Sequence, residues 1–498
     1  MCASRIDVGK CEIELDPLSL VHHDIDAAVE QTRERLHGLV KERGMPGNAT
    51  AFRAFELEVF RVVLSLVGAV IAAVLKGAHA HLVLRFEASA AARASRAGAL
   101  RTKGLEPVTV YVYGGVQVGL LTPYLRLDRR GRPGRRRASG RRGPNGSGAY
   151  PVLELLGFVG HFSPAVALEV ARQVAECASF AVAQSTLVTL GLDLDIKTMR
   201  WIESAVADID LRLREEGIEQ LAATPSEPTA SGEFAGKRIV ISVDGGRVRT
   251  REGGKCGRRR KKSGRRGFKP AWREPKAFVI HSIDAKGRKE RKSLPVCDGT
   301  LGDANALFAF LIAELRRRGA AAAAEIVLTA DGAHWIWERR ERLAEALGLP
   351  LERIVEIVDF YHVVEKLADF SEGRLGSQRE RERWLRRIRR WLSRERIDEI
   401  IAEVRGLAPR ASQSVIGYLE NNRARMRYRE FRRRGLPLGS GAIESAIRRV
   451  VNQRIKGCGI FWTPENAERV LHLRAYLKAG RWEELAARVI NNVSRRAA

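Results

Sequence analysis

Ile239-Val240-Ile241-Ser242-Val243-Asp244-Gly245 and Ile326-Val327-Leu328-Thr329-Ala330-Asp331-Gly332 decide how this chain reads. Each is a short apolar, β-branched run that ends at once in Asp-Gly. Such a run is the signature of a strand buried on both faces, with the glycine supplying the turn that follows it. Both therefore deliver a carboxylate at a strand end. A third acid, Glu444, lies far downstream, after the glycine-hinged Gly439-Ser440-Gly441 and at the start of a helical pattern. Two strand-end aspartates and a helix-borne glutamate suit a pair of divalent ions that act on a phosphate.

Working outward from these runs, the spacing predicts strands over 237–251, 277–284 and 289–296. A helix over 303–318 follows, capped by Asp303. Next come a strand over 325–331, a helix over 335–347, a strand over 354–359 and a helix over 360–370. Three strands followed by alternating helix and strand is the order of a ribonuclease H-like core. Residues 371–436 read as a basic helical insertion. One stripe in it is Trp384, Leu385, Ile388, Trp391 and Leu392, with arginines around it. The arginines there read either as a solvated face or as one that meets DNA.

Upstream, 24–81 reads as helical. The apolar stretch 62–75 is shorter than the roughly 20 residues of a membrane span, so a buried helix is expected. Val108 to Val118, with Gly114-Gly115 at its centre, reads as a hairpin. Segments 164–178, 180–190 and 196–206 are helical. The short Gly191 turn between the last two allows a helix-turn-helix or an ordinary helical hairpin. In the former, Lys197 and Arg200 lie near the start of a recognition helix. The expected division is 1–128 (helices and hairpin), 129–149 (basic Gly/Pro/Arg linker), 150–221 (helix-turn-helix region) and 222–236 (linker). It continues with 237–370 (first part of the core), 371–436 (insertion) and 437–498 (helices completing the core).

Composition bounds the partners. The 498 residues carry a formal charge of +28, and 45% are hydrophobic, so a folded protein with a polyanionic partner is expected. A glycosidase with paired carboxylates would not account for that charge. Six cysteines are scattered with no CxxC pair, which suits reduced thiols in a cytoplasmic protein. No signal peptide, lipidation motif or spanning helix is read, so no membrane partner is expected.

At this point the chain resembles a known group: bacterial insertion-sequence transposases of the DDE type, the Kra-type family, kin to Mutator-like elements. The motifs that carry the resemblance are Val243-Asp244-Gly245-Gly246-Arg247-Val248-Arg249, Trp272-Arg273-Glu274-Pro275-Lys276 and Ala330-Asp331-Gly332-Ala333-His334-Trp335. Further on come Val358-Asp359-Phe360-Tyr361-His362, Gly435 to Gly441, Glu444-Ser445, Gln453-Arg454 and Trp462. The resemblance runs from about Tyr150 onward. It implies catalytic and metal-binding roles for Asp244, Asp331 and Glu444, with two Mg²⁺ ions and Mn²⁺ as a substitute. Asp359 and His362 match an Asp-x-x-His signature; they either face the metals or orient their ligands. Gly245, Gly332 and Ser440 support the site.

For DNA, the expected contacts are Lys197, Arg200, Arg247, Arg249, Arg258, Arg259, Arg448, Arg454 and Trp462. The basic loop 255–262 reads as a clamp or as a flexible loop, and Trp462 as a DNA wedge or a core residue. The implied partners are double-stranded DNA, both element ends and target, and a homodimer or higher oligomer on it. The implied activity is strand cleavage and strand transfer by a nucleoid-associated enzyme. The rivals are a ribonuclease H-like nuclease without strand transfer and a catalytically silent DNA-binding descendant.

Overall fold

The computed structural model describes residues 17–95, 100–127, 148–223, 231–256, 267–408, 412–457 and 459–495. The chain forms two compact units. One is Met1–Val206 with Ala486–Ala498, and the other is Ala207–Leu485.

The first unit begins with helices α1 (Pro17–Arg43), α2 (Ala49–Ala80) and α3 (Leu82–Ala94). A hairpin follows, β1 (Leu100–Val112) with β2 (Val116–Leu127), paired antiparallel and longer than its sequence suggested. Its tip explains its glycines. Gly114 and Gly115 both have positive φ. A Cβ on Gly115 would sit 2.1 Å from the Gly191 carbonyl oxygen, and one on Gly114 would sit 2.8 Å from the Leu64 oxygen. No side chain fits there.

Next come α4 (Pro151–Leu155), α5 (Pro164–Glu176), α6 (Phe180–Thr189) and α7 (Ile196–Ala223). Ser163 caps α5, with Pro164 opening it; Val166, Val170 and Val174 recur on its buried face. Helix α7 runs on well past the 206 expected. The linker expected at 129–149 lies almost entirely outside the described residues, as do 224–230, and Arg258 and Arg259 fall outside them as well.

The second unit is built on β3 (Arg238–Gly245), β4 (Val248–Cys256), β5 (Gly267–Arg273), β6 (Lys276–Ile283), β7 (Val296–Thr300) and α8 (Ala304–Arg317). The chain continues through β8 (Glu325–Ala330), α9 (His334–Trp337), α10 (Arg340–Ala346), β9 (Ile354–Val358) and α11 (Phe360–Ser371). Five strands form one mixed sheet in the order β7-β6-β3-β8-β9. β6 is antiparallel to both neighbours, while β3, β8 and β9 are mutually parallel. The core strands bury both faces, which explains their continuous apolar runs.

The inserted helices are α12 (Gln378–Ser393), α13 (Ile397–Leu407), α14 (Gln413–Asn421) and α15 (Tyr428–Arg433). Trp384, Ile388 and Leu392, spaced by four, turn inward from α12 into the main core. The chain closes with α16 (Gly441–Ala446), a π-helical turn over Ile447–Asn452, α17 (Pro464–Ala479) and α18 (Trp482–Arg495).

Three expectations needed correction. The strand expected over 237–251 is two strands, broken after Gly245, and β4 pairs with β5 in a separate ribbon. The third core strand is not 289–296 but β7. The run Lys289-Glu290-Arg291-Lys292 offers the core nothing apolar, whereas 296–300 is wholly buried.

Local reading missed β7 because it contains Asp298, whose charge is met from afar. Arg214 donates to both Asp298 oxygens at 3.2 and 3.0 Å, and His472 Nδ1 lies 3.4 Å from Oδ1. On its other side His472 Nε2 meets Asp210 Oδ2 at 2.8 Å. Burial would lower the pKa of this imidazole, but the bonds to Asp210 and Asp298 outweigh it and hold the pKa above the ordinary histidine value. A raised folded-state pKa stabilises the fold below the unfolded value. That contribution is lost as pH rises through the folded value. The melting temperature of the wild type minus that of His472→Gln is therefore expected to shrink as pH rises above neutrality. A difference independent of pH would contradict a charged His472.

The third correction concerns α2. It is 32 residues long, and by length and composition it could cross a membrane. The stretch 62–75, expected to be a buried helix, is buried only in part: Val62, Ala72, Ala73 and Leu75 are buried, while Val63, Val67 and Val74 are exposed.

Candidate active site

Parallel pairing of β3, β8 and β9 places their C-terminal ends side by side, and an aspartate sits at each. Asp244 is the penultimate residue of β3, while Asp331 and Asp359 follow β8 and β9 directly. The register holds to the end, with Ala330 opposite Val358 and the Asp359 N–H donating to the Ala330 carbonyl at 2.9 Å. Glu444 comes from α16, whose Ile443 and Ala446 are buried among Ala277 and Val279 of β6. Glu444 itself is exposed.

Each of the two half-buried strand-end carboxylates is oriented by its own turn. The Gly245 N–H donates to Asp244 Oδ1 at 2.7 Å, and the Ala333 N–H to Asp331 Oδ1 at 3.0 Å. The Asp244 carboxyl is pushed up to about 6. Burial is the main cause, and the charges of Asp331 and Glu444 add to it against the Gly245 hydrogen bond and His362. Asp331, Glu444 and His362 are thus each within electrostatic reach of Asp244. At neutral pH the ionised Asp244 costs the fold stability. Asp244→Asn is expected to raise metal-free stability by about 1–2 kcal/mol, allowing for partial exposure. An unchanged or lower melting temperature would contradict that.

Asp359 plays a different part. It is 1% exposed. Its Oδ1 accepts the N–H groups of Tyr361 (2.7 Å) and His362 (3.2 Å), which caps α11. Its Oδ2 accepts the backbone N–H (2.6 Å) and hydroxyl (2.5 Å) of Ser440. Four hydrogen bonds occupy this carboxylate. It acts as a clasp between the end of β9 and the segment that leads to Glu444, and Phe360 N–H to Leu438 O (2.8 Å) reinforces it. Of the two readings left open by the sequence, the structure favours the orienting one for Asp359. His362 is exposed and lines a groove beside Asp331.

That groove has a volume of about 760 Å³ and is walled by α11 and α14, with His334, Lys366, Gln413 and Asn421 among its lining. Sequence reasoning missed its main support. Tyr418 on α14 donates its hydroxyl to the Asp331 carbonyl at 3.0 Å, and Lys366 lies 4.6 Å from its ring centre. No local pattern distinguishes this tyrosine from an ordinary helix residue. Gly332 makes room for it: φ is +98°, and a Cβ would approach the Tyr418 ring to 2.6 Å. Gly332→Ala is expected to cost about 1–3 kcal/mol and to displace Asp331. A wild-type denaturation midpoint and wild-type activity together would refute this.

The expected DNA contacts divide. Lys197, Arg200, Arg247 and Arg448 are exposed. Arg454 is corrected to an internal role, Trp462 takes the core role that the sequence left open, and Arg249 is half-buried and bonded within the fold. Arg249 donates to the Gly457 carbonyl at 3.0 Å and lies between the rings of Trp272 and Phe461. Arg454 is 3% and Trp462 8% exposed, the guanidinium 4.9 Å from the indole ring centre. Trp462 Nε1 donates to Ile455 O at 3.1 Å, and the Trp462 carbonyl accepts the Arg251 N–H at 2.8 Å. Together these residues fasten the β4–β5 ribbon to the chain that follows the π-helical turn.

Whether the acids suit a metal can be tested on their chemistry. Three carboxylates are the hard oxygen donors Mg²⁺ takes, and the elevated Asp244 pKa marks a site that positive charge would relieve. Yet among the described residues no three His, Cys, Asp or Glu side chains are gathered closely enough to hold an ion. Donor type and electrostatics fit, while the spacing is wider than a closed coordination shell. Comparison with models of known protein families and with curated proteins finds no match for this chain.

Proposed function

We propose that the chain is a DDE-type DNA transposase with a ribonuclease H-like core, cutting DNA at element ends and joining the freed 3′ end to a target. The observation that carries the reading is the placement of Asp244 and Asp331 at adjacent parallel strand ends, with Glu444 within electrostatic reach. The strand order β7-β6-β3-β8-β9, with only β6 reversed between β7 and β3, supports the ribonuclease H-like assignment. The net charge of +28 supports a polyanionic partner.

Asp244, Asp331 and Glu444 would hold two divalent ions, which when bound supply an acidified water and relief of charge on the departing 3′ oxygen. The turns after β3 and β8 fix the direction of two of the carboxylates, and the Asp359 clasp anchors the segment that leads to Glu444. Arg247 and Arg448, exposed and three and four residues beyond Asp244 and Glu444 in the chain, would hold phosphates. No protein nucleophile is assigned, because activated water and then the freed 3′-hydroxyl attack phosphorus in turn. The test is joining: a duplex with an exposed 3′-hydroxyl and the element-end sequence, incubated with supercoiled plasmid and Mg²⁺. Covalently joined product is expected. Nicked plasmid without joining would leave a nuclease, and salt-sensitive binding without cleavage a silent DNA-binding descendant.

A further inference from the structure

From Ile443 to Ile455 burial repeats every four residues. Positions 446–447, 450–451 and 454–455 are buried, and 444–445, 448–449 and 452–453 between them are exposed. A regular α-helix does not keep that pattern. At about 100° per residue, four residues overshoot a turn by roughly 40°, so three repeats swing a stripe by roughly 120°. The π-helical turn over Ile447–Asn452 takes up the excess, because an extra residue in the turn holds back the rotation. Ile443 and Ile455 therefore share one core cluster, and Glu444 and Arg448 stay on one exposed side.

Such a turn needs a substitute for the bonds it gives up. In a regular helix the Gln453 N–H would serve the Arg449 carbonyl, and the Arg454 N–H the Val450 carbonyl. Here the Gln453 N–H reaches five residues back to Arg448 O at 3.0 Å, and the Arg454 N–H turns to Val451 O at 3.4 Å. The two carbonyls passed over are those that Arg474 of α17 takes. Its Nε donates to Val450 O at 2.8 Å and its Nη2 to Arg449 O. Arg474 is 1% exposed. A guanidinium kept from water must find acceptors for its donors, and its rigid fork serves two adjacent carbonyls at once. We propose that Arg474 is a positioning residue: it locks the π-helical turn and so sets the direction in which Glu444 leaves α16. Its consequence for metal binding rests on the transposase reading above, whereas its hold on the register does not.

Arg474→Lys keeps the charge but loses the fork. Crystals of the metal-free full-length variant are expected to show four-residue bonding across 447–452 and Glu444 turned about the helix axis by up to about 100°. Gln453 still bonded to Arg448 O, with Glu444 unmoved, would overturn the proposal. Mn²⁺ titration followed by electron paramagnetic resonance reads the consequence. Arg474→Lys is expected to bind Mn²⁺ about 10-fold more weakly than wild type. Glu444→Gln separates the two readings. If it binds Mn²⁺ as wild type does, the metal role of Glu444 fails while the crystals still decide the register. Weakened binding in Glu444→Gln with wild-type binding in Arg474→Lys would overturn the part given to Arg474. If Arg474→Lys fails to fold, Arg474→Ala refolded with millimolar guanidinium chloride decides. Mn²⁺ binding restored by guanidinium but not by tetramethylammonium supports the proposal, and no restoration overturns it.

Discussion

Asp331→Asn is expected to cut and join DNA about 10³-fold more slowly than wild type, or worse, while binding duplex DNA as before. The magnitude follows from what the carboxylate contributes: metal-borne charge stabilisation is worth several kcal/mol, and about 4 kcal/mol corresponds to 10³ in rate. The amide oxygen can still accept the Ala333 N–H now bound at 3.0 Å, so the turn and the Tyr418 contact behind it should survive. Asp244→Asn and Glu444→Gln should behave alike, because on the proposed reading all three would act through the same ions. Rates with limiting Mg²⁺, together with binding isotherms, check this. Loss of binding in Asp331→Asn with an unchanged melt would show that the residue holds DNA rather than metal.

Asp359→Ala should have the largest effect on stability. It strips four hydrogen bonds from a buried position and leaves the N–H groups of Tyr361, His362 and Ser440 and the Ser440 hydroxyl without an acceptor. Bonds to a charged acceptor and a lost helix cap together suggest about 3–5 kcal/mol. Ser440→Ala removes only the hydroxyl bond and should cost about 1–2 kcal/mol. Cleavage should fall in both, in the same order, because Glu444 loses the clasp four residues before it. Urea denaturation and nicking rates at a temperature where both variants stay folded would test the pair. A wild-type midpoint and rate for Asp359→Ala would remove the clasp from the account.

What the sequence revealed and what it hid follow from how local each signal was. Strands β3, β8 and β9 were legible because their buried positions are mostly apolar and β-branched and an acid stands at or just past each end. Helix α8 was marked by its capping Asp303, and both α5 and α8 by the apolar spacing of their buried faces. Strand β7 was hidden because its aspartate is compensated by Arg214 and His472 from distant segments. The break after Gly245 was hidden because Arg247-Val248-Arg249 continues the alternation. Arginine and tryptophan near an acidic site read equally well as DNA contacts or as packing, and only burial separates exposed Arg448 from enclosed Arg454 and Trp462. Tyr418 depends on a fold-level contact that no spacing could announce.

The central claim is that Asp244, Asp331 and Glu444 make one metal-dependent site for phosphodiester chemistry. Its most direct test is nicking of supercoiled plasmid carrying the DNA that flanks the coding region, with Mg²⁺ or with EDTA, for wild type and Asp331→Asn. The account predicts nicked and joined products only for wild type with Mg²⁺. Cleavage that persists in EDTA, or in Asp331→Asn at the wild-type rate, would contradict it.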